Sequence, residues 1–146
     1  MKIYTLILAI LGAPLFTLAA DDIALTLGWA FTFQGKEYDS QLSRSALLSS
    51  PSWSPTQSLP LSTSNAVEIA RTQVATFAGN ATNWQVSEIQ LLCASRSPTQ
   101  RWYYAVHFQT SLRPFATTPG TTPQRVEEIV VCVDFSGRPG SIKPKR

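Results

Sequence analysis

The fold is decided by residues 102–110, WYYAVHFQT, in which bulky apolar side chains recur at every second position. This period of two predicts a β-strand that buries one of its faces. The face predicted to point into the core consists of Trp102, Tyr104, Val106 and Phe108. The face predicted to point away from the core consists of Tyr103, Ala105, His107 and Gln109.

Other segments show the same alternation and are predicted to be strands. Residues 25–33 have a heavy face formed by Leu25, Leu27, Trp29, Phe31 and Phe33. In residues 127–135, the side chains predicted to point into the core are Ile129, Val131, Val133 and Phe135. Residues 84–93 change phase near Ser87-Glu88, which predicts a β-bulge. Shorter strands fit Lys36 to Tyr38, after a Gln34-Gly35 turn, and residues 141–143.

Residues 63–78 are predicted to form the main helix, with Ser62 or Asn65 as its N-cap and Gly79-Asn80 at its end. Apolar residues recur at helical spacing along it: Val67, Ala70, Val74 and Phe77, widened by Ala66, Ile69 and Ala78. Strands joined by hairpins run antiparallel, and the helix must bury its stripe against them. The predicted fold class is therefore α+β, with one main helix on a curled antiparallel sheet in the order β–crossover–α–β–β–β.

The first twenty residues have the layout of a secretory signal peptide. Lys2 precedes an apolar run from Ile3 to Leu18, and Thr17-Leu18-Ala19 supplies small residues for cleavage. The alternative is an uncleaved membrane anchor, but the run is shorter than a membrane-spanning helix and contains a proline. The rest of the chain has no second long apolar run, so no stable membrane span is expected after cleavage. The predicted location is secreted or periplasmic.

The rest of the chain is predicted to form one domain in three segments. Residues 21–62 hold the N-terminal strand and a Pro/Ser-rich crossover, residues 63–137 the helix and three-stranded sheet, and residues 138–146 a basic tail. Gln41 to Leu48 fit one or two helical turns. The crossover is expected to be anchored by Trp53, Leu59 and Leu61.

The basic balance of the chain comes from its C-terminal end. The net charge is +3, yet residues 21–135 hold seven Lys and Arg against nine Asp and Glu. A nucleic-acid-binding face needs basic residues clustered on the folded body, so nucleic acid is not an expected partner. The tail itself is expected to be solvated.

The apolar fraction of 44% and charged fraction of 14% indicate a packed domain rather than a disordered chain.

Cys132 is predicted to share the outward face of the sheet with His107, the only histidine. A cysteine next to a histidine can be an activated nucleophile, but no oxyanion hole or orienting group is evident, so no catalytic residue is predicted. No metal or cofactor is predicted either, because zinc sites need paired ligand spacing. The residues expected to contact a partner are Tyr103, His107 and Gln109.

The pairing of Cys93 with Cys132 is left open by the sequence. In a simple meander the middle strand separates them by about 9–10 Å, which exceeds the Cα separation of ~7 Å that a disulfide tolerates. The two cysteines are also predicted to lie on opposite faces of the sheet unless the bend in the first of the three strands changes the phase, and two free thiols are the alternative. The use of the glycosylation sequon at Asn80 is also left open.

The hydrophobic pattern of residues 50–143 resembles that of PepSY-like domains and, more loosely, the cystatin-like fold. The matching residues are Leu61-Ser62, Ala66 to Ala70, Trp84-x-Val86, Trp102-Tyr103-Tyr104-x-Val106-x-Phe108 and Asp134-x-x-Gly137. The resemblance implies a binding or inhibitory module in an exported protein, often directed at proteases. The Gln-x-Val-x-Gly hairpin of cystatin inhibitors has no counterpart, since Gln73-Val74 falls in the predicted helix.

Three functions remain as hypotheses. The first is an exported, non-enzymatic binding or inhibitory module with an unknown protein or peptide partner. The second is a small enzyme with a site around His107 and Cys132 on the outer face of the sheet. The third is an envelope-associated structural protein held by its basic tail.

Overall fold

Two antiparallel sheets and two helices make up the part of the chain that the computed structural model describes, residues 27–94, 100–110 and 127–145. In chain order the elements are β1 Leu27–Phe33, β2 Lys36–Leu42, α1 Arg44–Ser49, α2 Thr63–Ala78, β3 Trp84–Ala94, β4 Arg101–Thr110, β5 Glu128–Asp134 and β6 Ser141–Pro144. The first sheet has the strand order β1-β2-β6 and the second β3-β4-β5. The α+β class is confirmed, whereas the prediction of a single curled sheet is wrong.

The main helix, α2, has the bounds that the apolar periodicity predicts. Ser62 is its N-cap, and the Ser62 hydroxyl accepts a hydrogen bond from the Asn65 N–H at 3.2 Å. Gly79 ends the helix in the left-handed conformation. The helix packs on β4 and β5 through fully buried Ala66, Ala70 and Val74. The short side chains on this stripe let the helix approach the sheet closely.

Two side-chain contacts fix which face of the second sheet the helix covers. The Arg71 guanidinium lies over the Phe108 ring, 5.8 Å from its centroid. The Tyr104 hydroxyl donates a hydrogen bond of 2.8 Å to the Leu61 carbonyl, just before the helix. The helix therefore covers the even-numbered face of β4, as predicted.

The second sheet is the predicted meander, in which β4 pairs with β3 on one side and β5 on the other. The register of β3 against β4 shifts between Val86 and Glu88, so the predicted bulge is confirmed. The bulge explains the phase change in the sequence: Val86 and Ile89 both lie on the face that α2 covers, opposite Phe108 and Val106.

The first sheet is the part of the fold that the sequence pattern under-predicts. A two-residue turn joins β1 to β2, with φ of 49° at Gln34 and 74° at Gly35. Positive φ at both positions is the type I′ geometry that matches the twist of a hairpin. β2 then extends to Leu42, well beyond the predicted short return strand, and β6 pairs with it on the other side.

The face of β4 and β5 predicted to point outward is buried except near its Gln109 end, so that expectation is wrong for most of the face. Tyr103 is 7% exposed and His107 6%, and Cys132 and Asp134 are fully buried. Tyr103 and Cys132 form a second apolar cluster with Leu42, Leu47 and Ala94, onto which Leu27 and Trp29 pack. The physical reason is that β1, β2 and α1 supply a second apolar layer on this side of the sheet.

The free edge of β5 is covered by residues from the first sheet and its connections. The Cys132 N–H donates to the Ser40 hydroxyl at 3.0 Å, and the Phe135 N–H to the Ser50 hydroxyl at 3.0 Å. The Gly140 N–H donates to the Cys132 carbonyl at 2.7 Å. Ser40 and Ser50 are buried, so they satisfy backbone groups that water does not reach.

The basic tail is ordered up to Lys145 and contains β6, and most of its residues are exposed, as predicted. Asp134 is fully buried, and its carboxylate accepts hydrogen bonds of 2.9 Å from the Arg138 N–H and from Arg138 Nε. The same guanidinium donates to the Ala46 carbonyl and the Ser49 hydroxyl of α1, both at 2.7 Å. Arg138 thus connects β5 to α1, and β6 follows it.

The crossover is anchored by two of its three predicted residues. Trp53 packs edge-on against Trp102, with ring centroids 5.2 Å apart, and Leu61 packs on the main core. Leu59 is 38% exposed, so the prediction that it is an anchor is wrong.

Some predictions fall outside the described residues. The proposed signal peptide, residues 1–20, and most of the connection between β4 and β5, residues 111–126, are among them. Within the described ranges, no helix has the length and apolar character needed to cross a membrane.

Replacing Arg138 with Met is expected to lower the free energy of unfolding by about 2 kcal/mol, since hydrogen bonds to charged groups are the stronger ones and a buried carboxylate would lose its partner. Urea unfolding followed by circular dichroism would measure this loss. The exposed Lys143→Met is the matched control and should change stability by less than about 0.5 kcal/mol. Equal stability of the two variants would contradict the role given to Arg138.

Candidate functional site

The residues predicted to bind a partner lie along one face of β4, but only one of them reaches solvent. Gln109 is exposed near the end of the strand, whereas Tyr103 and His107 are buried beneath the first sheet. The predicted exposure of Tyr103 and His107 is therefore wrong. The role of the three residues in binding stays a prediction.

His107 is held between the two sheets by specific contacts. Its Nδ1 lies 2.8 Å from Glu128 Oε1, and its ring meets the edge of Trp29 with centroids 5.1 Å apart. Glu128 is partly exposed, so the carboxylate lies at the border between the interior and water. The buried Nε2 has no hydrogen-bond partner among the described residues. The histidine therefore joins β1, β4 and β5 instead of facing an open site.

Cys132 is not an activated nucleophile in this arrangement. Its Sγ donates a weak hydrogen bond to the Ser40 carbonyl at 3.7 Å, and burial raises the thiol pKa to about 11. Nucleophilic cysteines need the opposite shift, toward the thiolate at neutral pH. Cys132 lies opposite Ala105 rather than His107, and the His107 imidazole bonds to Glu128. The Cys–His pairing on which an enzyme would depend is not formed.

The two cysteines are free thiols. Cys93 lies opposite Trp102 of β4, and Cys132 lies opposite Ala105 on the far side of the same strand. The meander therefore places a whole strand between them, which is the predicted obstacle to a bridge. No set of three His, Cys, Asp or Glu side chains in the described ranges is close enough to hold a metal ion.

The outer face of the first sheet, here called the outer face, carries the polar groups that could meet a ligand. Strand pairing arranges its side chains in three rows: Gly28, Gln41 and Ser141; Ala30, Asp39 and Lys143; Thr32, Glu37 and, after β6, Lys145. Read strand by strand, the same side chains form three columns. The β1 column holds only small side chains, the β2 column holds two acids and an amide, and the third column, from β6 and residue 145, holds the two lysines. The alternation of β1 that buries its heavy side chains is what leaves only small ones outside.

An open groove of about 550 Å³ lies on the outer face. It is lined by Asp39, Gln41, Lys143, Pro144 and Lys145. Lys145 Nζ lies 3.3 Å from Glu37 Oε2, and both side chains are exposed. Exposed ion pairs contribute little to stability, so these charges are available to a ligand at small cost.

Gly140 sets the position of β6 and therefore of Lys143 and Lys145. A Cβ at this residue would lie 2.8 Å from the Gln41 carbonyl oxygen and 3.4 Å from that of Cys132. Only glycine lets the chain pass this close to two backbones, and β6 begins at the next residue. The groove is therefore tied directly to the edge of β5.

The groove residues were not among those predicted to bind a partner. One signal was available: Gly28, Ala30 and Thr32 form a small face on β1, and Lys143 and Lys145 have the two-residue spacing of one strand face. What the sequence does not contain is the pairing of β2 with β6, which brings Asp39 beside Lys143.

Comparison with known proteins finds no matching protein-family model, no matching curated protein and no matching solved structure. The resemblance to PepSY-like domains therefore stays a prediction.

Cys132 should resist alkylation in the folded protein because it is buried and its pKa is raised. Iodoacetamide at neutral pH is expected to modify the partly exposed Cys93 and leave Cys132 untouched, and to modify both cysteines in denaturant. Peptide mass spectrometry would read out each site. Native labelling of Cys132 as rapid as that of Cys93 would contradict this arrangement.

The free energy of unfolding should fall as the pH rises from about 9 to about 11. Over this range the Cys132 thiol ionises in the unfolded chain but not in the folded one, so stability that is complete below pH 9 is lost. The expected loss is roughly 2 kcal/mol. The Tyr103 pKa is also raised, mainly by burial and to a smaller extent by the neighbouring Cys132. This shift lowers the free energy of unfolding further as the pH rises.

Urea unfolding under reducing conditions across this pH range would measure the effect. Cys132→Ala should reduce the pH dependence, although it also removes packing volume. An identical pH dependence in the variant and the parent would contradict the assignment to Cys132.

Proposed function

We propose that this chain is an exported, non-enzymatic binding module whose outer face holds an extended segment of a partner protein or peptide. The observation that carries the proposal is the open groove of about 550 Å³, lined by acidic, amide and lysine side chains. All of these side chains except that of Lys145, which follows β6, stand on paired strands rather than on a loop. A site on rigid elements loses less conformational freedom when it binds.

The spacing of the charges suits an extended polypeptide. Side chains two residues apart on a strand are separated by ~7 Å, and alternate residues of an extended peptide have the same spacing. A peptide lying along the strands would meet Lys143 and Lys145 with successive acidic residues. Basic residues of the same peptide would meet Glu37 and Asp39.

The balance of charge on the outer face supports a peptide of mixed charge over a polyanion. The two lysines of the face stand beside two carboxylates, so it offers no net positive field for nucleic acid. None of the residues in its three rows is aromatic, which leaves no ring on which a sugar or a base could stack.

The two alternative functions find less support. An enzyme around His107 and Cys132 would need a thiolate, but the Cys132 thiol has a raised pKa and bonds to Ser40. An envelope protein held by a basic tail would need a net positive surface, but Arg138 bonds to Asp134 and α1, and Lys143 and Lys145 lie beside Asp39 and Glu37. An inhibitory role toward a protease rests on the PepSY-like resemblance alone.

Fluorescence polarisation with three short labelled peptides would test the proposal on the protein purified after secretion. One peptide alternates Glu and Lys at successive positions, so that its acidic residues, two apart, can meet Lys143 and Lys145 and its basic residues can meet Glu37 and Asp39. The others carry only Glu or only Lys at the same positions. The mixed peptide should bind at least about tenfold more tightly than either single-sign peptide, because it matches both columns of the outer face.

A double variant, Asp39→Asn with Lys143→Gln, is expected to remove about tenfold of the affinity for the mixed peptide. Lys36→Gln is the matched control, since Lys36 is exposed but belongs to the opposite face of β2. Equal binding of all three peptides, or equal loss in both variants, would rule out the outer face as the binding surface.

A further inference from the structure

β3 presents a long strand edge that is unpaired among the described residues. It is the longest strand of the fold, and its partner in the second sheet is β4 on one side only. Alternate residues of such an edge direct their backbone N–H and C=O groups outward, ready to pair with another strand. This edge belongs to the second sheet and is separate from the outer face.

The side chains along this edge are apolar and incompletely covered. α2 makes its main contacts with β4 and β5, so it covers β3 less completely. Ile89 is 38% exposed, and Leu91, Leu92 and Cys93 are only partly buried. Pairing with a further strand would remove this apolar surface from water.

The features that normally protect a strand edge are missing from the segment Glu88–Ala94. Lysine, proline and bulges are the usual devices. This segment holds neither lysine nor proline, and the bulge ends where the segment begins, between Val86 and Glu88. The segment is therefore a regular edge that carries one charged residue, Glu88, at one end.

We propose that this edge pairs with the same edge of a second copy of the chain, antiparallel across a two-fold axis at Leu91. The axis lies at Leu91 because this residue is the midpoint of Glu88–Ala94. Ile89 then lies opposite Cys93 of the partner copy, and Glu88 opposite its Ala94. The two glutamates lie at opposite ends, so the lone charge that would repel in a parallel pairing is accommodated.

The symmetric pairing joins two three-stranded sheets into one of six strands. Seven residues span only roughly 23 Å along the strand, and the contact is narrower than the roughly 1,200 Å² that stable interfaces bury. The dimer is therefore weak and depends on protein concentration. Its formation leaves the outer face free in both copies.

Sedimentation velocity of the full secreted chain over a dilution series tests the proposal. The parent should pass from monomer to dimer as concentration rises. Leu91→Lys places two lysines directly opposite each other and should weaken dimerisation at least about tenfold. Gln85→Lys is the matched control, because Gln85 lies on β3 but before the bulge.

A crosslinking variant keeps the test decisive if Leu91→Lys fails to fold. In a Cys93→Ser background, Leu91→Cys should form an intermolecular disulfide at high concentration, while Gln85→Cys should not. A parent that stays monomeric throughout, a dimer that Leu91→Lys does not weaken, or equal crosslinking at both positions would overturn the proposal. Capture of an added β-strand peptide by a purely monomeric parent would also overturn it, in favour of a foreign strand at this edge.

Discussion

The structure depends on how the outer edge of β5 is satisfied. β5 is buried on both faces, so water cannot reach the backbone groups that β4 leaves unpaired. Ser40 accepts from the Cys132 N–H, and the Gly140 N–H donates to the Cys132 carbonyl. These two hydrogen bonds hold the first sheet across the second sheet, and they explain why a polar residue in β2 is fully buried.

This arrangement separates the interior chemistry from the surface chemistry. The groups that looked reactive, His107 and Cys132, are enclosed between the two sheets, where the contacts they make are structural. The polar groups open to a ligand lie on the opposite side of the first sheet, around Asp39 and Lys143. The first sheet therefore covers His107 and Cys132 with one of its faces and carries the groove on the other.

The sequence predicted the parts of the fold whose partners lie nearby in the chain. The period of α2, its Ser62 cap and the bulge near Ser87 are all local signals, and all are confirmed. The first sheet was under-predicted because only part of the inward face of β2 is apolar, and because Ser40 serves the backbone of a strand far along the chain. For the same reason the groove escaped prediction, since it exists only once β6 has paired with β2.

The pairing of β2 with β6 also sets the order in which the molecule can assemble. Tyr38 pairs with Pro144, so the β1–β2 hairpin cannot gain its third strand until the C-terminal segment has left the ribosome. An isolated hairpin is marginally stable, and contacts this distant in sequence form slowly. If the nascent chain is exported as we propose, this late pairing favours completion of the first sheet after translocation.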